Sequence, residues 1–340
     1  MTHSSVTTVP DQELAHRLLA KLEGGRYPLA CQWELTCRCN LRCVMCYTDC
    51  FNTPEQIRQE LSYPEIIRIM DELQEAGCLE LCLTGGEPLA RKDFTEIYLY
   101  AKHKGFLVTV FTNGTLVTDT IADVWAQSPP SMIEISLHGL TKASFETITQ
   151  GPGSHDRCLA GIRLILERRL PLTLKTTGLT LNSGEILAIK EFVRRLGSEY
   201  GTAVHYKFGS ELRLRLDGSD DVAQYQLSVE QIRAIEQADP DFCVERSRQE
   251  QREEAHLHQG RTPCGGGLYR FHIDAYGRLQ LCSGNRRAGY DLRRGSFVEG
   301  FYGSLPQFAC PNRQAAESPE LVTIQSLTRL PVSREVAAHG

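Results

Sequence analysis

From residue 31 onward the chain alternates short apolar runs with longer stretches whose apolar residues recur at helical spacing. The short runs read as strands: Cys31 to Thr36, Leu79 to Thr84, Phe106 to Phe111, Met132 to Leu137, Leu172 to Thr177 and Ala203 to Gly209. Between them, Ser62 and Glu65 form a capping-box pattern ahead of Ile66, Ile67, Ile69, Met70 and Leu73, and Gly77 closes that helix. Asp93 and Glu96 repeat the pattern before a helix that runs to Gly105. Further helices are expected over Cys158 to Arg168 and over Glu185 to Leu196, the latter ended by Gly197. Strands alternating with helices predict an α/β chain of parallel strands joined by right-handed crossovers, here in six units.

The flanks read differently. Gln12 to Leu22 is a short amphipathic helix carrying Leu14, Leu18, Leu19 and Leu22, stopped by Gly24 and Gly25. Beyond the sixth strand come a solvated turn, Asp217 to Asp221, a capped helix from Ser228 to Gln237, and a charged run from Glu245 to Gln259 that reads as an exposed helix or linker. Leu268 to Ile273 and Leu279 to Cys282 then flank Asp274-Ala275-Tyr276-Gly277, a β-hairpin pattern. The expected units are an N-terminal helix (1–25), a strand–helix body (26–215), a linker with one helix (216–260) and a C-terminal region (261–340). On the sixth strand Tyr206 and Lys207 must point to opposite faces, and the pattern leaves open which one faces inward.

With 340 residues the chain can bury a sizeable core. A net charge of -5 gives no basic field for a nucleic-acid backbone, and no apolar run approaches the length of a membrane span. The opening MTHSSVTTVPDQ lacks a basic-then-apolar export pattern, so a cytoplasmic location is expected and the thirteen cysteines should be reduced or metal-bound. Cys31, Cys37, Cys50, Cys78, Cys82 and Cys158 have no motif spacing and read as small buried hydrophobes.

Cys39, Cys43 and Cys46 differ. Their Cys-x3-Cys-x2-Cys spacing fits zinc poorly, because structural zinc takes four ligands in paired Cys-x2-Cys units. Three thiolates can instead hold three irons of a cubane and leave the fourth iron an open position.

This spacing resembles the signature of the radical S-adenosylmethionine (SAM) superfamily, in which the open iron of a [4Fe-4S] cluster chelates the amino and carboxylate groups of SAM. Thr84-Gly85-Gly86-Glu87-Pro88 resembles the family's glycine-glycine-glutamate motif, which meets the SAM amino group. The resemblance implies a partial (β/α)6 TIM-like barrel with its site at the C-terminal strand ends. It further implies that Asn113 at the third strand end, Ser136 at the fourth and Lys175 on the fifth contact SAM. Met45 and Tyr47, flanking Cys46, would lie by the adenine; the position of Met45 is often aromatic in the family.

The C-terminal cysteines bracket the hairpin, and Gly277 with Cys282 four residues beyond is similar to the opening of the SPASM or twitch extension. That resemblance implies a small α+β extension holding a second, auxiliary [4Fe-4S] cluster on Cys264, Cys282 and Cys310, with Cys243 the candidate fourth ligand. An unligated reading of Cys264 and Cys282 stays open, since the full set of SPASM cysteines is missing. The implied activity is reductive cleavage of SAM to a 5'-deoxyadenosyl radical that abstracts hydrogen from a substrate. An oxidative crosslink or dehydrogenation of a peptide or protein is expected, with an external electron donor such as flavodoxin or ferredoxin. The N-terminal segment is too short for the peptide-recognition domain of some relatives, which weakens the peptide reading unless a separate peptide-recognition protein supplies that part. Oxidation of a small-molecule metabolite is the alternative, and a non-catalytic iron–sulfur electron carrier or redox sensor a third reading.

Overall fold

The computed structural model describes residues 25–48, 53–213, 215–216, 219–244, 247 and 265–310. The helix expected at Gln12 to Leu22 and nearly all of the charged run to Gln259 lie outside them.

Among the described residues nine strands form one sheet. Six come from the strand–helix body: β1 (Ala30–Thr36), β2 (Glu80–Gly85), β3 (Leu107–Thr112), β4 (Met132–Ser136), β5 (Leu172–Thr177) and β6 (Val204–Gly209). Three follow: β7 (Arg270–Ile273), β8 (Arg278–Gln280) and β9 (Tyr290–Asp291). The order is β6-β5-β4-β3-β2-β1-β7-β8-β9, parallel from β6 to β7 and antiparallel beyond. The expected partial barrel of parallel strands is therefore present.

Eight α-helices are described: α1 (Pro54–Gln59), α2 (Tyr63–Glu75), α3 (Phe94–His103), α4 (Asp119–Gln127), α5 (Lys142–Thr149), α6 (Ser154–Glu167), α7 (Ile186–Tyr200) and α8 (Val229–Gln237). The Ser62–Glu65 capping box forms as expected. The one at Asp93 does not, because Arg91 takes both carboxylate oxygens at 2.7 and 3.0 Å. Helices α1, α4 and α5 escaped the sequence reading. Their apolar faces are narrow, with only Ala122 and Trp125 buried on α4, although Thr118 and Thr141 cap them by accepting backbone N–H bonds.

Period-two alternation sorts each strand. Trp33, Leu83, Val110, Ile135 and Leu174 pack outward into the core beneath the helices. Glu34, Phe111, Glu134, Lys175 and Lys207 take the other, concave face. The ambiguity on β6 is thereby settled: Tyr206 packs near Phe242, with ring centroids 6.2 Å apart, while Lys207 turns inward to Glu134.

The C-terminal hairpin is part of the main sheet. β7 lies parallel beside β1, pairing Cys31 with Phe271 and Trp33 with Ile273. Phe271, Phe297 and Phe301 pack together with ring centroids 5.1 to 5.5 Å apart and belong to the same core cluster as Trp33. Each such buried ring contributes roughly 2–3 kcal/mol to holding the hairpin on the sheet. The turn forms as expected: Asp274 accepts N–H bonds from Tyr276 and Arg278 at 2.9 Å, and Gly277 takes φ +84.

Candidate metal and cofactor site

The cysteine loop leaves the C-terminal end of β1, and a polar knot fixes its first turn. Thr36 and the Cys37 N–H both donate to Glu60 Oε1, at 2.6 and 3.0 Å, and Arg38 pairs with Oε2 at 2.9 Å. The loop then runs past the C-terminus of α5, where the N–H groups of Arg42 and Val44 donate to the Thr149 and Ile148 carbonyls. Those carbonyls are the ones a helix end leaves without internal partners.

Cys39, Cys43 and Cys46 are half-buried on this loop. Burial raises the Cys43 thiol, and the neighbouring Cys46 and Cys39 sulfurs raise it further. Cys39 Sγ receives the Leu41 N–H at 3.4 Å and Asn113 Nδ2 at 3.8 Å, and Cys46 Sγ lies 3.2 Å from Thr48 Oγ1. Among the described residues no three His, Cys, Asp or Glu side chains converge on a single ion. A cubane makes no such demand, since each thiolate binds its own iron. Three clustered thiols with N–H donors aimed at one sulfur fit an iron–sulfur group.

The turn after β2 locks against the same loop. Gly86 N–H donates to Thr36 O at 2.8 Å and Glu87 N–H to Arg38 O at 2.7 Å. A Cβ on Gly85 would overlap the Thr36 carbonyl oxygen, and one on Gly86 the Arg38 carbonyl. The two glycines are thus required for the cysteine loop itself. Pro88 is buried and opens a single 3-10 turn.

Glu87, expected to present a carboxylate to an ammonium group, has that carboxylate hydrogen-bonded within the protein. It is fully buried, and its oxygens accept from Thr112 Oγ1 at 2.7 Å, Asn113 N at 2.6 Å and Leu89 N at 3.1 Å. Burial lifts its pKa to about 7 against those three donors. It thereby ties down the Asn113 turn, whose side-chain amide donates to Cys39 and, at 2.9 Å, to Asn40 Oδ1.

The other strand-end residues lie on the same side. Ser136 ends β4 half-buried, paired in register with Lys175. Lys175 Nζ lies 3.6 Å from Glu134 and 5.9 Å from the centre of the Phe111 ring. His138 is held neutral, its pKa depressed to about 4 by burial and then by Lys175. Met45 and Tyr47 are half-buried on the loop.

Sequence reasoning missed the arginines that brace this loop. Arg215 donates to the Cys46 carbonyl at 2.9 Å and to the Val44 carbonyl at 3.3 Å, and the Leu216 N–H donates to Tyr47 O at 3.0 Å. The Tyr47 ring has the Arg213 and Arg286 guanidiniums 5.5 and 5.6 Å from its centre. Arg286 forks onto Glu34, which is 2% exposed on β1. Although burial opposes it, His272 and Arg286 hold the Glu34 pKa down at about 2. Arg213 and Arg215 stand two apart just beyond β6, a period-two signal that could have flagged them.

The C-terminal cysteines are brought together in part. Cys282 follows β8, and Asn285 Nδ2 donates to Ala309 O at 2.9 Å, tying the segment of Cys310 to that turn. Arg213 reaches Ser283 Oγ at 3.0 Å, so one side chain spans from Tyr47 to the neighbour of Cys282. Cys264 lies outside the described residues. Cys243 is exposed and donates to Glu236 O at 3.0 Å, beside Phe242 on the β6 and α7 flank. Among the described residues no hydrogen bond joins it to Cys282 or Cys310.

Comparison with known proteins agrees with this geometry. The family description "Radical SAM superfamily" matches residues 33–193. The AdoMet-dependent heme synthase of Methanosarcina barkeri (strain Fusaro / DSM 804) is 33% identical over 50% of this chain and 48% of its own. The PqqA peptide cyclase of Granulibacter bethesdensis is 29% identical over 54% of this chain and 49% of its own. The chain thus spans about half the length of these curated relatives. Among solved structures, Streptococcus suis SuiB superposes with a TM-score of 0.64 at 14% identity, covering 89% of this chain and 73% of SuiB, which bears on the fold.

Proposed function

We propose, for a chain whose residues 33–193 are a radical SAM domain, that it cleaves SAM reductively at a [4Fe-4S] cluster on Cys39, Cys43 and Cys46 and oxidises a peptide, by crosslinking or dehydrogenation. The observation that carries this reading is the cysteine loop, seated at the C-terminal end of β1 and locked to the Gly85–Gly86 turn. When bound, the cluster and SAM supply one electron and a hydrogen-abstracting radical; the chain supplies position and enclosure.

Asn113 directs an N–H at the Cys39 sulfur, favouring its thiolate form, and Glu87 fixes Asn113. Ser136, paired in register with Lys175, offers a hydroxyl to the polar groups of SAM, and Met45 and Tyr47 border its adenine. Neutral His138 adds no charge at the strand ends. Cys282 and Cys310, with Cys264, would hold a second [4Fe-4S] cluster, which when bound could accept the electron of the substrate radical left by hydrogen abstraction. An external donor of the flavodoxin or ferredoxin kind supplies the first electron, a separate protein presents the peptide, and a reducing, cytoplasmic setting keeps the thiols available. No described helix is long and apolar enough to cross a membrane.

The similarity to a peptide cyclase supports the peptide reading, whereas that to a heme synthase supports a second reading, oxidation of a small molecule. Anaerobic reconstitution tests the core claim. The natural chain should form 5'-deoxyadenosine with SAM and reductant, and a Cys39, Cys43, Cys46 triple alanine variant should retain about one cubane's worth of iron on its C-terminal cysteines. Loss of all iron in the variant refutes the two-cluster arrangement, and an intact cluster that leaves SAM whole returns the chain to the electron carriers. Peptides encoded beside its gene should lose hydrogen mass; inertness of all of them favours the small molecule.

A further inference from the structure

Inside the barrel, deeper than the cysteine loop, register gathers one charged row. Phe111 on β3 stands beside Glu134 on β4, and Lys175 on β5 beside Lys207 on β6. Glu134 is 5% exposed and both its oxygens are engaged, Oε2 by Lys207 at 2.6 Å and Oε1 by Lys175 at 3.6 Å. One buried carboxylate thus faces two ammonium groups whose side chains are 44% and 58% exposed. Each ammonium has three donors, and the single Glu134 neutralises only one charge. At the mouth above them Arg213 meets a tyrosine ring and a serine hydroxyl, and no carboxylate among the described residues. A chain of net charge -5 therefore keeps an excess of cations along the β5–β6 side of its concave face.

We propose that Lys175 and Lys207, anchored by Glu134, seat a carboxylate of the substrate, so that the peptide taken by this barrel brings an Asp or Glu side chain. The proposal rests on reading the barrel interior as the reaction chamber. The physical reason is dehydration. Water compensates the surplus ammonium while the barrel is open, and a substrate that fills the interior expels that water. An unpaired ammonium left there is costly. A carboxylate entering with the substrate accepts the vacant N–H donors and leaves the row neutral, whereas a lysine or arginine at the same place would meet like charge. Glu134 also excludes a second anion from the deepest position, so the seat takes one carboxylate.

Two measurements test this. In the first, the whole chain is acylated competitively with acetic anhydride, and the rate at each lysine is read by mass spectrometry with and without glutarate as the carboxylate probe. Glutarate should slow Lys207 and Lys175 several-fold and leave Lys142, which pairs with Asp156 outside the barrel, unaffected. Equal rates at all three lysines overturn the proposal. So does protection by SAM alone to which glutarate adds nothing, because the seat then belongs to the cofactor's carboxylate. In the second, random-sequence peptides are panned on the reconstituted enzyme. Retained peptides should be enriched in Asp or Glu, and Lys207→Met should lower that enrichment roughly tenfold, the worth of one charge-assisted hydrogen bond. Retention without acidic bias, or unchanged in the variant, overturns it. Glutarate protection with no peptide retained leaves the carboxylate seat standing and removes the peptide from the proposed function, so the two fail separately.

Discussion

The two cysteine regions are built to different standards. The loop of Cys39 to Cys46 is braced on every side: by Glu60 at its entry, by the end of α5 along its middle, by Arg215 on its last carbonyls and by the Gly85–Gly86 turn beneath. In the Cys282 to Cys310 region the side-chain bonds fall on the neighbours of the cysteines, Arg213 to Ser283 and Asn285 to Ala309, while Phe271, Phe297 and Phe301 anchor the hairpin. A loop braced as the first is would lose little conformational freedom on taking a cluster. The better-built site nevertheless borrows from the other. Arg286, which borders Tyr47 and neutralises Glu34, comes from the hairpin side.

That dependence sets the largest expected effect. Arg286→Met strands a buried carboxylate at Glu34 and should cost about 3–5 kcal/mol, read by urea unfolding. The double variant with Glu34→Gln should recover most of it, because removing both partners leaves no buried charge. A single variant as stable as the natural chain would show that the two regions are independent.

Next comes Glu87. Its folded pKa of about 7 lies above the ordinary carboxyl value of 4.5, so between these the folded chain binds more protons than the unfolded one. Stability from this group is therefore full below pH 4.5 and is lost as pH rises through 7, on the order of 3 kcal/mol in all. Glu87→Gln should flatten that slope in the metal-free chain, and a slope unchanged in the variant would mean that the carboxylate titrates as an exposed one.

The smallest effect belongs to Cys243. Cys243→Ser should leave iron retention by the C-terminal set unchanged and stability within about 0.5 kcal/mol, as for an exposed position, whereas Cys282→Ser should abolish that retention. Iron lost equally in both would bring Cys243 into the cluster.

The barrel was legible because its signals are local. The β5 reading, Leu172 to Thr177, coincides with the strand, and the others fall within about a residue of theirs. The cysteine spacing and the glycine pair are local as well. What escaped depends on contacts between distant residues. That β7 lies beside β1 is written in neither strand, because a four-residue run carries no mark of its partner. Glu87 could be recognised as a motif residue, yet only the fold shows that its carboxylate turns toward Thr112 and Asn113. Arg215 and Arg286 stand among many arginines, and their place beside the cysteine loop emerges only from tertiary packing.

The parallel pairing of β1 with β7 also sets a timetable for synthesis. Ala30 leaves the ribosome long before Arg270, its partner in register, and at ordinary elongation rates the gap is on the order of tens of seconds. Until then one flank of β1 offers unpaired backbone groups to any passing strand, an invitation to aggregate. A nascent chain that stalls in this interval would be a natural client for a chaperone, and premature termination before residue 270 would leave the first strand permanently uncovered.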